Sequence, residues 1–175
     1  MNILTHFQKK DPIMYGVLQS VDISRWLQPH TTNHSRIFYF QSLCRQIISQ
    51  QLSGKAADSI QRRVEALFPE KKITPKKILQ VGDQVLRDAG VSFAKARYLK
   101  NIATEILGST IHWESFETLS EEEVIKELTT IKGVGTWTAE MFLMFTLRRE
   151  DIFSYGDLGL RRGIEKLYNL KNPTQ

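Results

Sequence analysis

Two glycines, Gly133 and Gly135, stand in the run Ile131-Lys132-Gly133-Val134-Gly135-Thr136-Trp137-Thr138-Ala139. Glycine adopts positive φ readily and leaves the neighbouring amides uncovered. Amides so placed, just ahead of a helix, make a site for a phosphate oxygen. Asp157 offers a different chemistry. It heads another predicted helix, where an aspartate commonly caps the first-turn amides with one oxygen while the other can face a substrate. A third candidate is Leu52, which follows Gln50 and Gln51 on a turn between two apolar helices. An apolar residue at such a turn either packs beneath it or stands out as a wedge able to enter a base stack.

The elements that must position these residues all read as helices. Ser120-Glu121-Glu122-Glu123 is a capping box, and the helix it starts carries Val124 and Leu128 on one side. Trp137, Met141, Phe142 and Phe145 recur at helical spacing beyond the glycines. The two helices and their short link form a hairpin over about residues 123–147, with Leu147 to Glu150 closing its second helix. Upstream, Phe38 to Gln51 predicts a long helix with Phe40, Leu43, Ile47 and Ile48 inward, and Ser53 caps a following helix that buries Ala56, Ile60, Val64 and Leu67. Thr74-Pro75 starts a short helix through Ile78 and Val81; another runs through Val85 and Leu86 to Gly90. Ser92 caps a helix with Phe93, Ala96, Leu99, Ala103 and Ile106 on one stripe, and a connector from Ile111 to Leu119 holds Trp113 and Phe116.

At the N-terminal side, residues 1–10 read as mixed with Phe7 the one anchor, and Asp11-Pro12 starts a helix carrying Met14, Val17, Leu18 and Val21. Trp26 and Leu27 predict a further short helix, and residues 30–35 a polar loop; Pro29 to Ser35 is the best place for a lobe boundary. The last helix carries Leu158, Arg161, Ile164 and Leu167. Strand alternation is absent, and the expected fold is all-α.

The 175 residues suffice for one well-buried core or two small lobes. The net charge of +5 and pI of about 9.3 are compatible with a polyanionic partner. No apolar run approaches a membrane span and no signal peptide is apparent, so an intracellular protein is expected. The single cysteine, Cys44, excludes an internal disulfide and a four-cysteine iron–sulfur cluster; it reads as a buried apolar residue.

The run from Ile131 to Ala139, followed by Asp157-Leu158-Gly159, resembles the helix-hairpin-helix DNA glycosylases, and within them the alkylpurine branch of 3-methyladenine DNA glycosylase II. Ile47 to Ala57, and Gly90-Val91-Ser92 with Lys95-Ala96, are similar to the same branch, so the resemblance spans roughly residues 36 to 165. It implies a helical bundle of two small lobes with a cleft between them, in one glycosylase domain covering residues 1–175. The implied activity is monofunctional: hydrolysis of the N-glycosidic bond of alkylated purines such as 3-methyladenine and 7-methylguanine, flipped out of double-stranded DNA, to leave an abasic site. On this reading Asp157 is catalytic and Trp137 lines the base pocket. Gln51, Leu52, Ser53, Lys55, Lys132, Gly133, Val134, Gly135 and Thr138 meet the DNA, with Leu52 as the wedge. No side chain holds a metal, although hairpin carbonyls could hold a monovalent cation; no cofactor is expected, and the protein should be monomeric and act in the cytoplasm, nucleoid or nucleus.

Members that also cut the strand carry a lysine in the hairpin where this chain has Trp137, so a lyase activity is not implied. The chain departs from the branch in three places. Gly156 stands where a second Asp often precedes the catalytic one, Ser53 where some relatives place a larger group, and the chain ends at Gln175, where relatives continue with further helices. A non-catalytic DNA-binding hairpin module, or a degenerate glycosylase, stays open as the alternative.

Overall fold

The computed structural model describes residues 3–24 and 35–170. In chain order its helices are α1 (Ile3–Lys10), α2 (Pro12–Ser20), α3 (Arg36–Ser49), α4 (Gly54–Ala66), α5 (Pro75–Gln80), α6 (Asp83–Asp88), α7 (Phe93–Leu107), α8 (Glu121–Thr129), α9 (Thr136–Phe145) and α10 (Leu158–Leu167). No strand occurs among the described residues, and the class is all-α. The expected helix at Trp26 and Leu27 lies outside the described residues, as do the expected loop and lobe boundary apart from Ser35, which caps α3. The chain divides into two units, Thr32–Phe153 and a second one made of Met1–Thr31 with Ser154–Gln175.

In the larger unit, α7 packs against α3, α5 and α6. Its Ser92 cap accepts from the Lys95 amide at 3.3 Å, and Ala96, Leu99, Ile102, Ala103 and Ile106 form its buried stripe. Helix α3 supplies Tyr39, Phe40, Leu43, Cys44, Ile47 and Ile48 to the same core. Tyr39, Trp113, Phe116 and Phe142 meet at tilted and edge-on angles, with centroids 5.0 Å apart for Trp113 and Phe116 and 5.4 Å for Tyr39 and Phe142. Phe142 comes from α9, so the aromatic cluster ties the hairpin to α3, against which α9 packs. Burial pushes the Cys44 thiol well above its ordinary range, as expected of an inert apolar cysteine.

Helical period alone assigned several side chains to the wrong side. Phe93, Leu67 and Phe145 were expected on the apolar faces of their helices, yet each is exposed. Phe93 and Phe145 stand at helix ends, and Leu67 is the C-cap of α4. Phe93 instead receives the Arg87 guanidinium over its ring at 5.8 Å. Helix α9 stops at Phe145 rather than continuing to Glu150; Arg148 has turned to φ 52, and Arg149 donates to the carbonyls of Phe116, Glu117 and Leu119.

In the smaller unit, residues 3–10 form α1 where no cap had signalled a helix. Asp11 caps α2, accepting from the Met14 amide at 2.9 Å, with Pro12 at the first helical position. Val21, expected on the inward face of α2, is its exposed C-cap in extended conformation. Tyr168, at the C-terminal end of α10, donates its hydroxyl to the Asp11 carboxylate. The Met14 amide and that hydroxyl hold the Asp11 carboxyl below its usual range.

Candidate nucleic-acid interface and active site

The hairpin begins with the capping box. Ser120 Oγ accepts from the Glu123 amide at 3.3 Å, and Glu123 Oε2 accepts from the Ser120 amide at 2.8 Å. Val124 and Leu128 bury one face of α8, and Ile131 and Val134 pin the turn from beneath. The Val134 amide donates to the Ile131 carbonyl at 2.9 Å.

The two glycines serve different needs. Gly133 has φ 106, and a Cβ there would lie 2.1 Å from Cγ of Tyr98, so both backbone conformation and close packing require glycine. Gly135 is extended, at φ −96 and ψ 175, and nothing lies within 4 Å of the place a Cβ would take. It is the N-cap of α9, with no side chain accepting from the first-turn amides and no acidic residue in that turn. The cap leaves that end of the helix open to an acceptor, and the positive end of the helix dipole favours an anion.

Around this start, Trp137 is half-buried in the first turn of α9 and Lys132 is exposed. Two of the residues expected to meet DNA turn their side chains away from solvent. Val134 is 4% and Thr138 1% exposed, because both turn into the core under the hairpin, and Thr138 Oγ1 accepts from Gln50 Nε2 at 2.9 Å. Any contact these two make with DNA runs through their backbone. The Lys132 carbonyl accepts from Asn101 Nδ2 at 2.9 Å. Backbone carbonyls are neutral oxygens with two lone pairs each, the donor type a cation held without side-chain ligands would use. No group of three or more His, Cys, Asp or Glu side chains capable of holding a metal occurs among the described residues.

The Gln51–Leu52 turn belongs to the same unit. Gln50 ends α3, Gln51 takes φ 57, and Leu52 is 39% exposed at the tip, with its amide on the Ser49 carbonyl at 3.1 Å. Ser53 caps α4 through the Ala56 amide at 3.4 Å, and Lys55 is exposed in the first turn. Lys95 Nζ reaches across from α7 to the carbonyls of Ile48 at 2.9 Å and Gln50 at 2.7 Å. Burial lowers the Lys95 pKa. The roles of Gln50, Lys95, Tyr98 and Asn101 were not legible in the sequence. Each meets a partner far along the chain; Gln50 and Lys95 had been noticed only as parts of the turn and of the family pattern.

Asp157 lies in the smaller unit as the half-buried N-cap of α10. Its Oδ1 accepts from the Leu160 amide at 2.8 Å, and its own amide donates to the Ser154 carbonyl at 3.2 Å. One oxygen therefore performs the capping expected of it, which fixes the orientation of the carboxylate. A Cβ on Gly159 would lie 3.1 Å from that Oδ1, so glycine keeps the carboxylate uncrowded; Gly156 meets no such neighbour. Arg161 is exposed on α10.

Residues 44–175 fit the family described as HhH-GPD superfamily base excision DNA repair protein. The chain belongs to this family. Among curated members it is 39% identical over 143 residues to DNA-3-methyladenine glycosylase 1 of Schizosaccharomyces pombe, covering 78% of this chain and 61% of that one. It is 34% identical over 177 residues to the DNA-3-methyladenine glycosylase of Saccharomyces cerevisiae, covering 92% of this chain and 57% of that one. The chain thus spans about three fifths of the length of these relatives. A solved structure of the S. pombe 3-methyladenine DNA glycosylase in complex with abasic DNA superposes with a TM-score of 0.69 at 34% identity, over 87% of this chain and 76% of that one. These relatives place the chain with the alkylpurine branch of the family, as its motifs suggested.

Proposed function

We propose that the protein is a monofunctional DNA glycosylase of base excision repair. It hydrolyses the N-glycosidic bond of alkylated purines, 3-methyladenine and 7-methylguanine among them, and leaves an abasic site. The observation that carries this reading is the start of α9, uncapped and without acid in its first turn, in a chain of this family. The substrate is double-stranded DNA containing damaged bases. The enzyme acts inside the cell as a monomer, without cofactor or iron–sulfur cluster; no described helix is long and apolar enough to cross a membrane.

The amides around Gly133 and Gly135 grip the backbone near the lesion, with a monovalent cation on hairpin carbonyls as a further support for the phosphate. The damaged base leaves the stack at a cost of a few kcal/mol, less than for an intact one. Leu52, beside Gln51, fills the gap. Trp137 stacks on the flipped base, where a cationic purine over an indole is favoured. Asp157 stabilises the positive charge that grows on the deoxyribose as the bond breaks, and directs water to C1′. A carboxylate at ~4 Å from unit charge is worth roughly 4 kcal/mol at an effective dielectric of 20, or about a thousandfold in rate. An N3- or N7-alkylated purine leaves as a neutral base, so no general acid is required. Trp137 occupies the position of the strand-cutting lysine and its indole is no nucleophile toward C1′, which leaves water as the acceptor.

The test is incubation with methylated duplex DNA and chromatography of the released bases. Free alkylpurines should appear, strand breaks should follow only alkali or heat, and borohydride added during turnover should trap no covalent adduct. Absence of base release would reduce the chain to a DNA-binding module. Adduct trapped in good yield, and lost on mutation of one lysine, would place it in a strand-cutting branch.

A further inference from the structure

We propose that Lys95 and Gln50 are positioning residues for base excision, holding the Gln51–Leu52 tip in fixed register with the phosphate-binding hairpin. The proposal rests on the glycosylase reading above, in which the tip enters the duplex while the hairpin holds the backbone.

Packing alone does not hold the tip. A cleft of about 240 Å³ lies beside it, lined by Ile48, Gln50, Leu52, Val91, Ser92 and Lys95 among others. Gln51 is held at φ 57, a conformation costly for a residue with a side chain, which persists only where the surroundings over-determine it. Those surroundings are polar ties. Carbonyls at the end of a helix need donors from elsewhere. Lys95 supplies them for Ile48 and Gln50, the residues just before the strained one, and places a cation where the helix dipole favours it. The amide of the Gln50 side chain then crosses to buried Thr138 on α9. One residue thus links the end of α3, the tip and the hairpin.

Helix α7 completes the arrangement. Lys95, Tyr98 and Asn101 follow one another at three-residue spacing and so share a face. Lys95 holds the tip, Tyr98 fills the space left by Gly133, and Asn101 donates to the Lys132 carbonyl. Six residues of helix, about 9 Å of axis, therefore set the distance between the two DNA-facing turns.

The experiment compares base release from methylated duplex DNA and from the same DNA single-stranded, where no gap has to be filled. Lys95→Met should lower duplex kcat/KM by about tenfold, the loss of charge-assisted hydrogen bonds, and leave the single-strand rate within about twofold. Lys95→Arg, which keeps charge and donors, should recover much of the duplex rate. Thr138→Val, nearly isosteric, probes the second link should Lys95→Met fold poorly, and should show the same duplex-selective loss. Combining it with Gln50→Ala should add nothing further, since both remove one contact. Equal losses on both substrates that track the melting temperature would overturn the proposal, as would variants whose duplex-to-single-strand ratio equals that of an active wild type. A wild type that releases base from neither substrate would instead remove the glycosylase reading, and this proposal with it.

Discussion

Helices α8 and α9 flank the same turn and begin in opposite ways. The start of α8 is closed: Ser120 and Glu123 exchange both bonds of a capping box, and Glu121, Glu122 and Glu123 crowd its first turn. The start of α9 has a glycine cap, no side-chain acceptor and no acid. Side-chain caps also close α2, α3, α4, α5, α7 and α10, through Asp11, Ser35, Ser53, Thr74, Ser92 and Asp157. Among the helices whose N-cap residue is described, α6 shares the lack of a side-chain cap, at Gly82, and it carries its own negative charge in Asp83. On the proposed reading the start of α9 is left open for a phosphate, while three glutamates would repel a phosphate from the other end of the hairpin.

The largest effect is expected at Asp157, a closed start to which a reactive role is also assigned. Asparagine caps as well as aspartate, so Asp157→Asn separates the two jobs. Base release should fall by about a thousandfold with melting temperature and binding to abasic DNA little changed. Retention of more than about a tenth of the rate would contradict an electrostatic role of that size.

Gly135→Asp closes the open start. The site has room for a side chain and an ordinary φ, so the protein should gain a few tenths of a kcal/mol in stability. DNA affinity should fall by about tenfold or more, because the new carboxylate takes the amides and repels the phosphate. In the wild type, about three neutralised phosphates predict a slope near −2.7 of log K against log salt, with Lys55, Lys132, Arg148 and Arg161 as candidate contacts. Tighter binding by the variant, or salt-independent binding by the wild type, would end the comparison.

Opening the closed start should be milder and of the opposite kind. Ser120→Ala should cost about 1 kcal/mol of stability, read from thermal or urea unfolding, with DNA affinity unchanged. Smallest of all is the titration of the box. The Ser120 amide, then its hydroxyl, hold the Glu123 carboxyl below its ordinary 4.5. A depressed carboxylate stabilises the folded state above the unfolded pKa and loses that contribution as pH falls through the folded one. Stability should therefore decline more steeply below pH 4.5 in the wild type than in Glu123→Gln, which keeps the box without the charge. Parallel curves would show that the glutamate's charge contributes nothing.

Caps explain why so much was legible in the sequence. Asp11, Ser53, Thr74, Ser92, Ser120 and Asp157 were all read as helix starts, because a cap bonds within three residues of itself and its signal is local. Helix α1, which has no such signal, was missed. Phe93 and Phe145 were turned inward because a period specifies a face but not where a helix outruns its neighbours. The burial of the Thr138 side chain could not be read from the sequence, because its partner, Gln50, lies 88 positions away. No spacing rule reaches a hydrogen bond of that kind, and the same holds for Lys95 on the end of α3.

The smaller unit is assembled from segments on either side of the larger one, with Tyr168 of the later segment bonded to Asp11 of the earlier. A ribosome therefore makes α1 and α2 long before the helix that completes their unit, while everything needed for the larger unit is synthesised in between. Domains generally fold as units during synthesis, and contacts so distant in sequence close slowly. The hairpin from Glu121 to Phe145 is therefore complete before Asp157 and α10 are made. On the proposed reading, a nascent chain passes through a stage with its phosphate site formed and its reactive carboxylate still to come.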